Sequence, residues 1–556
     1  MIKCYSVRKR DLKMKKMTVM YIWNDLTMGG ATQSLLDTLQ EMNKKANCIV
    51  VIREKNQIIE YLQNLNVEYL FLPFPCDCVA IDNYSKEDEK LNFLESYESA
   101  NILADMIRQK KVDLVHINSS TSSVGAIAAL LAGIPYIWHI RELIREHFDS
   151  TFFNIELKKE LFAQSSKLIT ISDCVKQSYL EQFNLDSIRL YNGLRIENYE
   201  GKLTNRRFNR KILLVGTLTK SKGQWDAVKA IELLIGQGYD TIELFIIGDG
   251  DESLRWRIQK YIQQKNLKQN VHLISFKENL KPYREQVSYS ITSSKMEALG
   301  RTTIEAMLAG NIVIGTDTGG TKELIGEKEE RGYLYHQGNY IELAHTLIKA
   351  IEDTDEKKNQ ILQRAQEYAK KEFDSFSYCE ELFQIYMEIN TESKYLYNTE
   401  LVEKLKYKYE ELKTQQNILL TKKLKDLNKN FQKAKLLNVW TLKWLEIKQK
   451  GFSIGRYLKK ESIHTVAIYG MASLGYRLYD ELKEENIKVK YVMDRGNKEI
   501  GEIIWCVDPE QELPEVDAVI VTVLSEEYKL INWLQTKCNY KVLGITHIIN
   551  DIIELC

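Results

Sequence analysis

The sequence predicts an α/β protein in which two Rossmann-like domains face each other and a smaller Rossmann-like α/β domain follows. Short apolar runs such as MTVMYIW, VDLVHI, KILLVGT and IELFIIG alternate with amphipathic helical segments through about the first 390 residues. Unbroken β-branched runs between helices are typical of parallel strands that are buried on both faces. The alternation begins again at Lys211, after the polar stretch RIENYEGKLTNRRFNR, which is a candidate inter-domain linker.

The order of these patterns predicts six segments. A basic tail, 1–16, leads into a first domain, 17–200, and the second domain occupies 208–375. Residues 376–393 are predicted to be the helix that closes this pair, and 394–460 a basic amphipathic helical linker. The third domain is expected at 461–556. Two facing domains of this kind bind ligands in the cleft at the carboxyl ends of their strands.

Composition excludes several classes of function. The 556 residues are 44% hydrophobic and 28% charged, which is typical of globular proteins with several domains. The 77 basic residues equal the 77 acidic residues in number, so no nucleic-acid partner is predicted. The nine cysteines include one close pair, Cys76 and Cys78, without a zinc-type His/Cys cluster. No run approaches ~20 apolar residues and no signal-peptide core is found, so a cytoplasmic location is predicted.

Residues 394–450 form a long basic segment. They contain 14 lysines, six acids and neither glycine nor proline, and Leu405, Leu412 and Leu419 keep a seven-residue step. The favoured interpretation is a helix that lies on the protein's own surface or forms a short coiled coil. A coiled coil between two copies of the chain would make the protein a homo-oligomer. The alternative is a peripheral contact with the inner face of an anionic membrane, with Trp440 and Trp444 at its edge.

Two strand-to-helix loops of the second domain carry charges. Lys220 and Lys222 follow the strand KILLV, where a lysine can reach an anion at the helix N-terminus; a solvated lysine pair is the alternative. Asp249 and Asp251 follow the strand ELFII. Their Gly-Asp-Gly-Asp sequence favours turn chemistry over a magnesium site.

The stretch MEALGRTTIEAMLAG places Glu297 and Glu305 eight positions apart. Gly300 permits a tight turn, and Thr302 or Thr303 is the candidate N-cap of the helix IEAMLAG. Glu297 would then lie in the loop and Glu305 in or near the first helical turn. The backbone N–H groups of Gly300, Arg301 and Thr302 would be available to an anion. The alternative is that Glu305 only complements the helix dipole.

Seven segments in this order resemble the family-four glycosyltransferases, which have the GT-B fold. They are MGGATQSLLDTL, ITIS, LYNG, VGTLTKSKG, IIGDGD, SKMEALGRTTIEAMLAG and TDTGGTKELI, between about residues 17 and 390. The resemblance implies retaining transfer of a sugar from a nucleoside diphosphate sugar to a hydroxyl of a glycan, lipid-linked or other acceptor. It also implies surface polysaccharide or glycoconjugate synthesis, with no cofactor or metal for the transfer. The alternative is a non-catalytic GT-B scaffold that binds a glycan or a partner glycosyltransferase.

The resemblance also implies roles for single residues. Glu297 would contact the donor sugar, Glu305 the ribose hydroxyls, and Lys222 the diphosphate. His139 would be the cleft histidine, so that the catalytic set is His139, Glu297 and Lys222. The remaining predicted donor-binding residues are Gly29, Gly30, Gly216, Leu299, Gly300, Arg301 and Thr302.

One departure from the family pattern concerns the diphosphate. Thr217 stands where the family has an arginine, and Lys220, Arg141 and Arg301 are the candidates to replace that cation. His116, in a second strand, is interpreted as structural.

The third domain carries a variant of the dinucleotide fingerprint. Gly470, Ala472 and Gly475 form G-x-A-x-x-G after a strand, and Asp494 ends the next strand, where a ribose-binding acid would lie. The glycine that lets backbone approach a pyrophosphate is missing. A structural or partner-docking role is therefore favoured, with binding of an unidentified nucleotide as the alternative. An oxidoreductase activity lacks a candidate catalytic acid or base.

Overall fold

The structure is a computed structural model that describes residues 16–25, 29–203, 207–391, 398–494 and 505–555. The predicted basic tail lies almost wholly outside these ranges. The chain divides into two compact units, Met1–Leu412 and Lys413–Cys556, which are described separately. No helix in the described ranges is long and apolar enough to cross a membrane.

In its described residues, the first domain of the first unit contains nine strands and seven α-helices. The strands are β1 (Thr18–Trp23), β2 (Asn47–Ile52), β3 (Glu68–Phe71), β4 (Cys78–Ala80), β5 (Leu114–Ile117), β6 (Tyr136–Ile140), β7 (Ser150–Phe152), β8 (Lys167–Thr170) and β9 (Ile188–Arg189). The helices are α1 (Gly30–Met42), α2 (Ile58–Asn64), α3 (Lys86–Lys110), α4 (Val124–Ala132), α5 (Ile144–Phe148), α6 (Ile155–Ala163) and α7 (Asp173–Phe183). Seven strands form a parallel sheet in the order β3-β2-β1-β5-β6-β8-β9, and β4 pairs with β7 in a separate antiparallel ribbon.

Strand β1 shows why the apolar runs form this sheet. Val19, Tyr21 and Trp23 point into one buried cluster, whereas Met20 and Ile22 point into another on the opposite face. All six residues of the strand are buried. A strand covered by helices on both faces needs apolar side chains at every position, as the sequence pattern predicts.

The second domain repeats the design. Its strands are β10 (Lys211–Val215), β11 (Glu243–Ile247), β12 (Val271–Ile274), β13 (Tyr289–Thr292), β14 (Ile312–Thr316) and β15 (Tyr333–Tyr335). Its helices are α8 (Gln224–Gly236), α9 (Glu252–Gln264), α10 (Lys281–Gln286), α11 (Arg301–Leu308), α12 (Gly319–Ile325), α13 (Tyr340–Glu352) and α14 (Asp355–Glu372). The parallel order is β12-β11-β10-β13-β14-β15, which is the doubly wound order 3-2-1-4-5-6. The first sheet has the same order with a seventh strand, β9, added at its edge.

Two sets of contacts fix the second domain against the first. Helix α15 (Ser375–Thr391) returns to the first domain, where the hydroxyl oxygens of Tyr386 and Tyr21 lie 3.0 Å apart. On α12, the Glu323 carboxylate accepts hydrogen bonds of 3.0 and 3.1 Å from the backbone N–H groups of Asp173 and Cys174, at the start of α7. The carboxyl ends of both sheets therefore face one cleft.

Helix α16 (Thr399–Gln449) spans the boundary between the two units. Leu401 and Leu405 belong to a core cluster of the first unit, and Trp444 and Ile447 to a core cluster of the second. The side chains of residues 414–435, between these two ends, are exposed: Leu424 and Leu427 are 65% and 64% accessible. The predicted helical linker is confirmed over this range, where it forms a single helix.

The second unit contains a four-stranded parallel sheet. Its elements after α16 are α17 (Ile454–Lys460), β16 (Thr465–Tyr469), α18 (Ser473–Glu484), β17 (Lys488–Met493), β18 (Ala518–Val521), α19 (Glu527–Gln535), β19 (Lys541–Gly544) and α20 (Ile545–Leu555). The strand order is β17-β16-β18-β19.

The fingerprint loop of the second unit is a tight turn between β16 and α18. Gly470 has φ +96°, and a Cβ on Gly475 would lie 2.0 Å from the Gly470 carbonyl oxygen. The carboxylate of Asp494 accepts a 2.8 Å hydrogen bond from the backbone N–H of Met471, in that turn. Asp494 thus stabilises the loop itself, so its position is explained without a bound ligand, in keeping with the docking interpretation. Ala472 is the N-cap of α18.

Candidate active site

A cavity of about 740 Å³ lies in the cleft of the first unit. From the first domain its described lining includes Asn24, Asp25, Gly30, Arg53, Cys76, Cys78, Asn118, Arg141, Glu142, His147 and Asn192. From the second domain it includes Gly216, Thr217, Lys222, Glu297, Ala298, Leu299, Gly300, Arg301 and Thr302. Eight of the predicted site residues line this one cavity: Gly30, Gly216, Lys222, Glu297, Leu299, Gly300, Arg301 and Thr302.

Lys222 and Glu297 form an ion pair in the cavity. The distance from Lys222 Nζ to Glu297 Oε1 is 2.5 Å, and Ser294 Oγ donates a 2.6 Å hydrogen bond to the same oxygen. Lys222 ends a short helical turn that Gly223 closes with φ +69°. A Cβ on Gly223 would lie 2.1 Å from the Ser293 carbonyl oxygen, so only glycine brings this turn against the β13 loop.

Charge and burial set the ionisation of this pair and of His147 beside it. Burial acts to raise the pKa of Glu297, but the Lys222 ammonium and hydrogen bonds from Lys222 and Ser294 outweigh it and hold the pKa below its usual range. Burial first, and then Lys222, lower the pKa of His147, although Glu297 acts in the opposite direction. At neutral pH the site therefore holds a carboxylate next to a neutral imidazole.

Helix α11 begins at the cavity, but not with the predicted cap. Gly300, with φ +95°, is its N-cap, and the helix starts at Arg301. The prediction that Thr302 or Thr303 caps the helix is wrong: both lie inside it, and the Thr303 hydroxyl lies 2.9 Å from that of Thr292. The N–H groups of Gly300, Arg301 and Thr302 precede the helical hydrogen-bond ladder and lie at the cavity wall, as an anion site requires.

Glu305 lies below the cavity, in the second turn of α11. Its Oε2 accepts a 2.7 Å bond from Arg284 Nη2, and its Oε1 accepts a 3.1 Å bond from Arg301 Nε. Arg301 also donates to Asp37 of the first domain, at 2.8 Å. Glu305 is not among the described residues that line the cavity, and its contact with ribose stays a prediction.

The predicted cleft histidine needs correction. His139 lies inside strand β6, is fully buried, and is not among the described residues that line the cavity. Its Nδ1 lies 3.4 Å from Arg141 Nη2, and Arg141 does line the cavity, so His139 lies behind that arginine. His147, on α5, is the histidine of the cavity wall. His116 is buried with its Nδ1 against the Tyr386 hydroxyl, in keeping with a structural role.

Two other predicted residues have local structural roles. Gly29 is the N-cap of α1 and its carbonyl oxygen accepts a 3.0 Å bond from Gln33; Gly30, not Gly29, is found in the described cavity wall. Asp251 is the N-cap of α9, and Asp249 pairs with Arg255 at 2.8 Å.

The cavity also contains candidates to replace the diphosphate-binding arginine of the family, at whose position this chain has Thr217. Arg141 and Arg301 line it, whereas Lys220 is exposed and absent from the described lining. Arg53 lines it as well and was missed. Arg53 immediately follows strand β2, and residues that follow parallel strands lie at the ligand-binding edge of the sheet, so this position was a usable signal.

Two thiols in the cavity wall provide a test of its electrostatics. Cys76 Sγ and Cys78 Sγ lie 3.2 Å apart, and the hydrogen bond from Cys78 lowers the pKa of Cys76 to about 7 in spite of burial. Because the thiolate is the reactive form, we expect alkylation of Cys76 by iodoacetamide to reach half its maximal rate near pH 7. Cys78→Ala should move this midpoint upward, towards the pKa of an ordinary thiol. Peptide mass spectrometry over a pH series measures both.

Cys48 is the internal control for this measurement. Burial raises the pKa of Cys48 to about 12, so it should stay unmodified in the folded protein at neutral pH. A Cys76 midpoint above about pH 8.5, the value of a free thiol, would contradict the hydrogen-bonded arrangement.

Comparison with known proteins decides the family. The family model described as Glycosyltransferase Family 4 matches residues 28–198, and the model described as Glycosyl transferases group 1 matches residues 196–371. Together they match residues 28–371 without a break, which is most of both domains of the cleft. The chain belongs to the family-four glycosyltransferases. The matches end before α16, so they leave the second unit unassigned.

Individual glycosyltransferases are similar over the same region. The chain is 22% identical over 334 residues to the UDP-Gal:alpha-D-GlcNAc-diphosphoundecaprenol alpha-1,3-galactosyltransferase of Escherichia coli, which covers 56% of this chain and 81% of the relative. It is 23% identical over 213 residues to the poly(ribitol-phosphate) alpha-N-acetylglucosaminyltransferase of Staphylococcus aureus. This match covers 37% of this chain and 41% of the relative. The solved structure of Anabaena HepE with UDP-glucose superposes with a TM-score of 0.56 at 21% identity, over 67% of this chain and all of HepE. The predicted GT-B fold is confirmed.

Proposed function

We propose that the first unit transfers a sugar from a nucleoside diphosphate sugar to a hydroxyl acceptor, with retention of the anomeric configuration. The observation that carries the proposal is the Lys222–Glu297 ion pair beside the N-terminus of α11, in a cavity that both domains line. A cation and a set of free backbone N–H groups suit a diphosphate, and a carboxylate between them suits sugar hydroxyls.

In the proposed complex, the leaving diphosphate is bound by Lys222 and by the N–H groups of Gly300 to Thr302. These groups stabilise the negative charge that grows on the diphosphate as its bond to the sugar breaks. Because Gly223 and Gly300 hold the donors in place before the substrate arrives, little reorganisation accompanies the reaction. Glu297 accepts hydrogen bonds from the sugar hydroxyls and thereby fixes the ring.

Retention follows from the face on which the acceptor arrives. The acceptor hydroxyl oxygen forms its bond to the anomeric carbon on the side from which the diphosphate departs, and a diphosphate oxygen takes the hydroxyl proton. The chain then contributes position and charge rather than a covalent intermediate. His147, neutral beside Lys222 and Glu297, is placed to hydrogen-bond the sugar from the first domain.

Similarity to named proteins suggests which donors to try first. HepE was crystallised with UDP-glucose, and the E. coli relative is named for UDP-Gal. We therefore propose a uridine diphosphate sugar as donor, with synthesis of a surface polysaccharide or glycoconjugate as the role.

A donor screen tests the proposed function. The full chain is incubated with UDP-, GDP-, ADP- and dTDP-linked sugars, and release of the nucleoside diphosphate is measured, with and without simple glycoside acceptors. We expect slow hydrolysis of one UDP-sugar that stops when Glu297 is replaced by glutamine. A chain that hydrolyses none of these donors, and whose melting temperature none of them raises, would be the non-catalytic scaffold instead.

A further inference from the structure

Four polar residues follow four adjacent strands of the first sheet. Arg53 comes directly after β2, Asn24 after β1, Asn118 after β5 and Arg141 after β6. The sheet order places these strands side by side as β2-β1-β5-β6. Since the strands are parallel, the four side chains lie at one edge of the sheet, and all four line the cavity.

Each of the two arginines is held by an asparagine at the end of the neighbouring strand. Arg53 Nη1 donates a 2.9 Å hydrogen bond to Asn24 Oδ1, at the end of the neighbouring strand β1. Arg141 Nε and Nη2 donate bonds of 3.1 and 2.9 Å to Asn118 Oδ1, at the end of β5. Because β1 and β5 are adjacent, and adjacent strands lie about 4.8 Å apart, the two arginine–asparagine pairs lie next to each other at the carboxyl end of the sheet.

Neither guanidinium has a carboxylate partner within the described ranges. The side-chain groups that Arg141 contacts are the neutral ones of Asn118, Asn192 and His139, although it is only 5% exposed. The adjacent carboxylate of Glu142 accepts from the hydroxyl and N–H of Ser120, at 2.8 and 2.9 Å, and from the backbone N–H of Arg141 at 3.2 Å, but not from the Arg141 guanidinium. A buried cation without a counter-ion is unfavourable unless an anion completes the site.

This arrangement differs from that of the cations in the second domain. Lys222 is paired with Glu297, and Arg301 with Asp37 and Glu305. The first-domain arginines are instead oriented by amides, which position a guanidinium without neutralising it. The paired N–H groups of two guanidinium groups match the geometry of the oxygen atoms of a phosphate group.

We propose that Arg53 and Arg141 form a subsite for a phosphate group carried by the acceptor. The inference rests on the proposed function, in which Lys222 and the N-terminus of α11 hold the donor diphosphate on the opposite wall. The phosphate belongs either to a diphosphate-linked lipid or to a polyol phosphate chain; the chemistry recognised is the same. The acceptor hydroxyl that reacts would then be presented to the sugar from an anchored phosphate.

Phosphate binding to the full chain tests the subsite without any sugar donor. Inorganic phosphate is titrated into wild type, Arg53→Met and Lys222→Met, and binding is followed by calorimetry. We expect two phosphate sites in wild type. Arg53→Met should weaken one of them by at least about tenfold, the loss expected for a charge-assisted pair, while Lys222→Met weakens only the other.

Two further variants control for charge and for folding. Arg53→Lys keeps the positive charge but loses the paired N–H donors of the guanidinium. Its affinity for phosphate should lie between those of wild type and Arg53→Met. Arg108→Met makes the same chemical change on α3, outside the described cavity wall, where Arg108 pairs with Asp105, and should bind phosphate as wild type does. If Arg53→Met also binds phosphate as wild type does, the subsite does not exist.

Competition identifies the source of the phosphate. A short-chain prenyl diphosphate and a glycerol phosphate oligomer are each tested for displacement of phosphate from the Arg53-dependent site of Lys222→Met. Displacement by either supports the proposal and names the class of acceptor; displacement by neither overturns the assignment to an acceptor. Failure of the donor screen with an intact Arg53-dependent site would instead count against the proposed function alone.

Discussion

Replacing Lys222 with methionine is expected to lower the rate constant for sugar transfer about 10²–10³-fold, the usual cost of removing one preorganised group that stabilises a developing charge. Methionine keeps most of the aliphatic stem but removes the ammonium that lies 2.5 Å from Glu297 and beside the proposed diphosphate position. The pKa of Glu297 should also rise, because Lys222 is what holds it down against burial. Steady-state transfer with the donor found by the screen gives kcat and KM for both proteins.

Lys220→Met is the matched control for this substitution. Lys220 lies two residues away in the same turn, is exposed, and is not among the described lining residues. It should transfer at the wild-type rate. If Lys222→Met kept more than about half of wild-type kcat, a change of under 0.5 kcal/mol in the barrier, Lys222 would not stabilise the leaving group.

Replacing Glu305 with leucine is expected to lower the free energy of unfolding by about 3–5 kcal/mol, the usual cost of removing one partner from a buried ion pair. Arg284 is 2% exposed, and Glu305 is its carboxylate partner within the described structure. Arg301 would keep Asp37, so the unpaired charge falls mainly on Arg284. Urea unfolding of both proteins, monitored by tryptophan fluorescence, measures the difference.

Two variants show whether the loss comes from the unpaired charge. The double variant Arg284→Met, Glu305→Leu removes both charges and should be more stable than Glu305→Leu alone. Its loss of unfolding free energy should therefore be smaller than the sum of the losses of the two single variants. Glu327→Leu removes an exposed acid 3.5 Å from Lys322 and should cost less than about 1 kcal/mol. If Glu305→Leu unfolds like wild type but no longer binds a nucleotide, Glu305 contacts the ribose, as the family resemblance implies, and has no major structural role.

The fold was predictable because each buried strand corresponds to an apolar run of about the same length in the sequence. MTVMYIW becomes β1 and KILLV becomes β10, and the restart of the pattern at Lys211 coincides with the first strand of the second sheet. The position of Glu297 in a loop was equally predictable, because Gly300 ends that loop with a conformation that favours glycine.

The differences between the prediction and the structure have both local and long-range causes. In PYIWHIREL, a histidine inside a strand covered on both faces must be buried, so strand position alone argued against His139 and for Arg141, the first residue beyond the strand. The partner of Glu305 is Arg284, on a different helix, and periodicity carries no information on such a pair. The helix start was misplaced because two threonines outweighed a glycine that, with positive φ, serves as the cap.

The central claim is that the cavity binds a nucleoside diphosphate through Lys222 and the N-terminus of α11. Calorimetric titration of uridine diphosphate into wild type, Lys222→Met and Lys220→Met tests it most directly. We expect binding to wild type and to Lys220→Met with equal affinity, and binding to Lys222→Met at least about tenfold weaker, because a charge-assisted contact is lost. Equal affinity for all three proteins, or no binding of any nucleoside diphosphate to wild type, would contradict the claim.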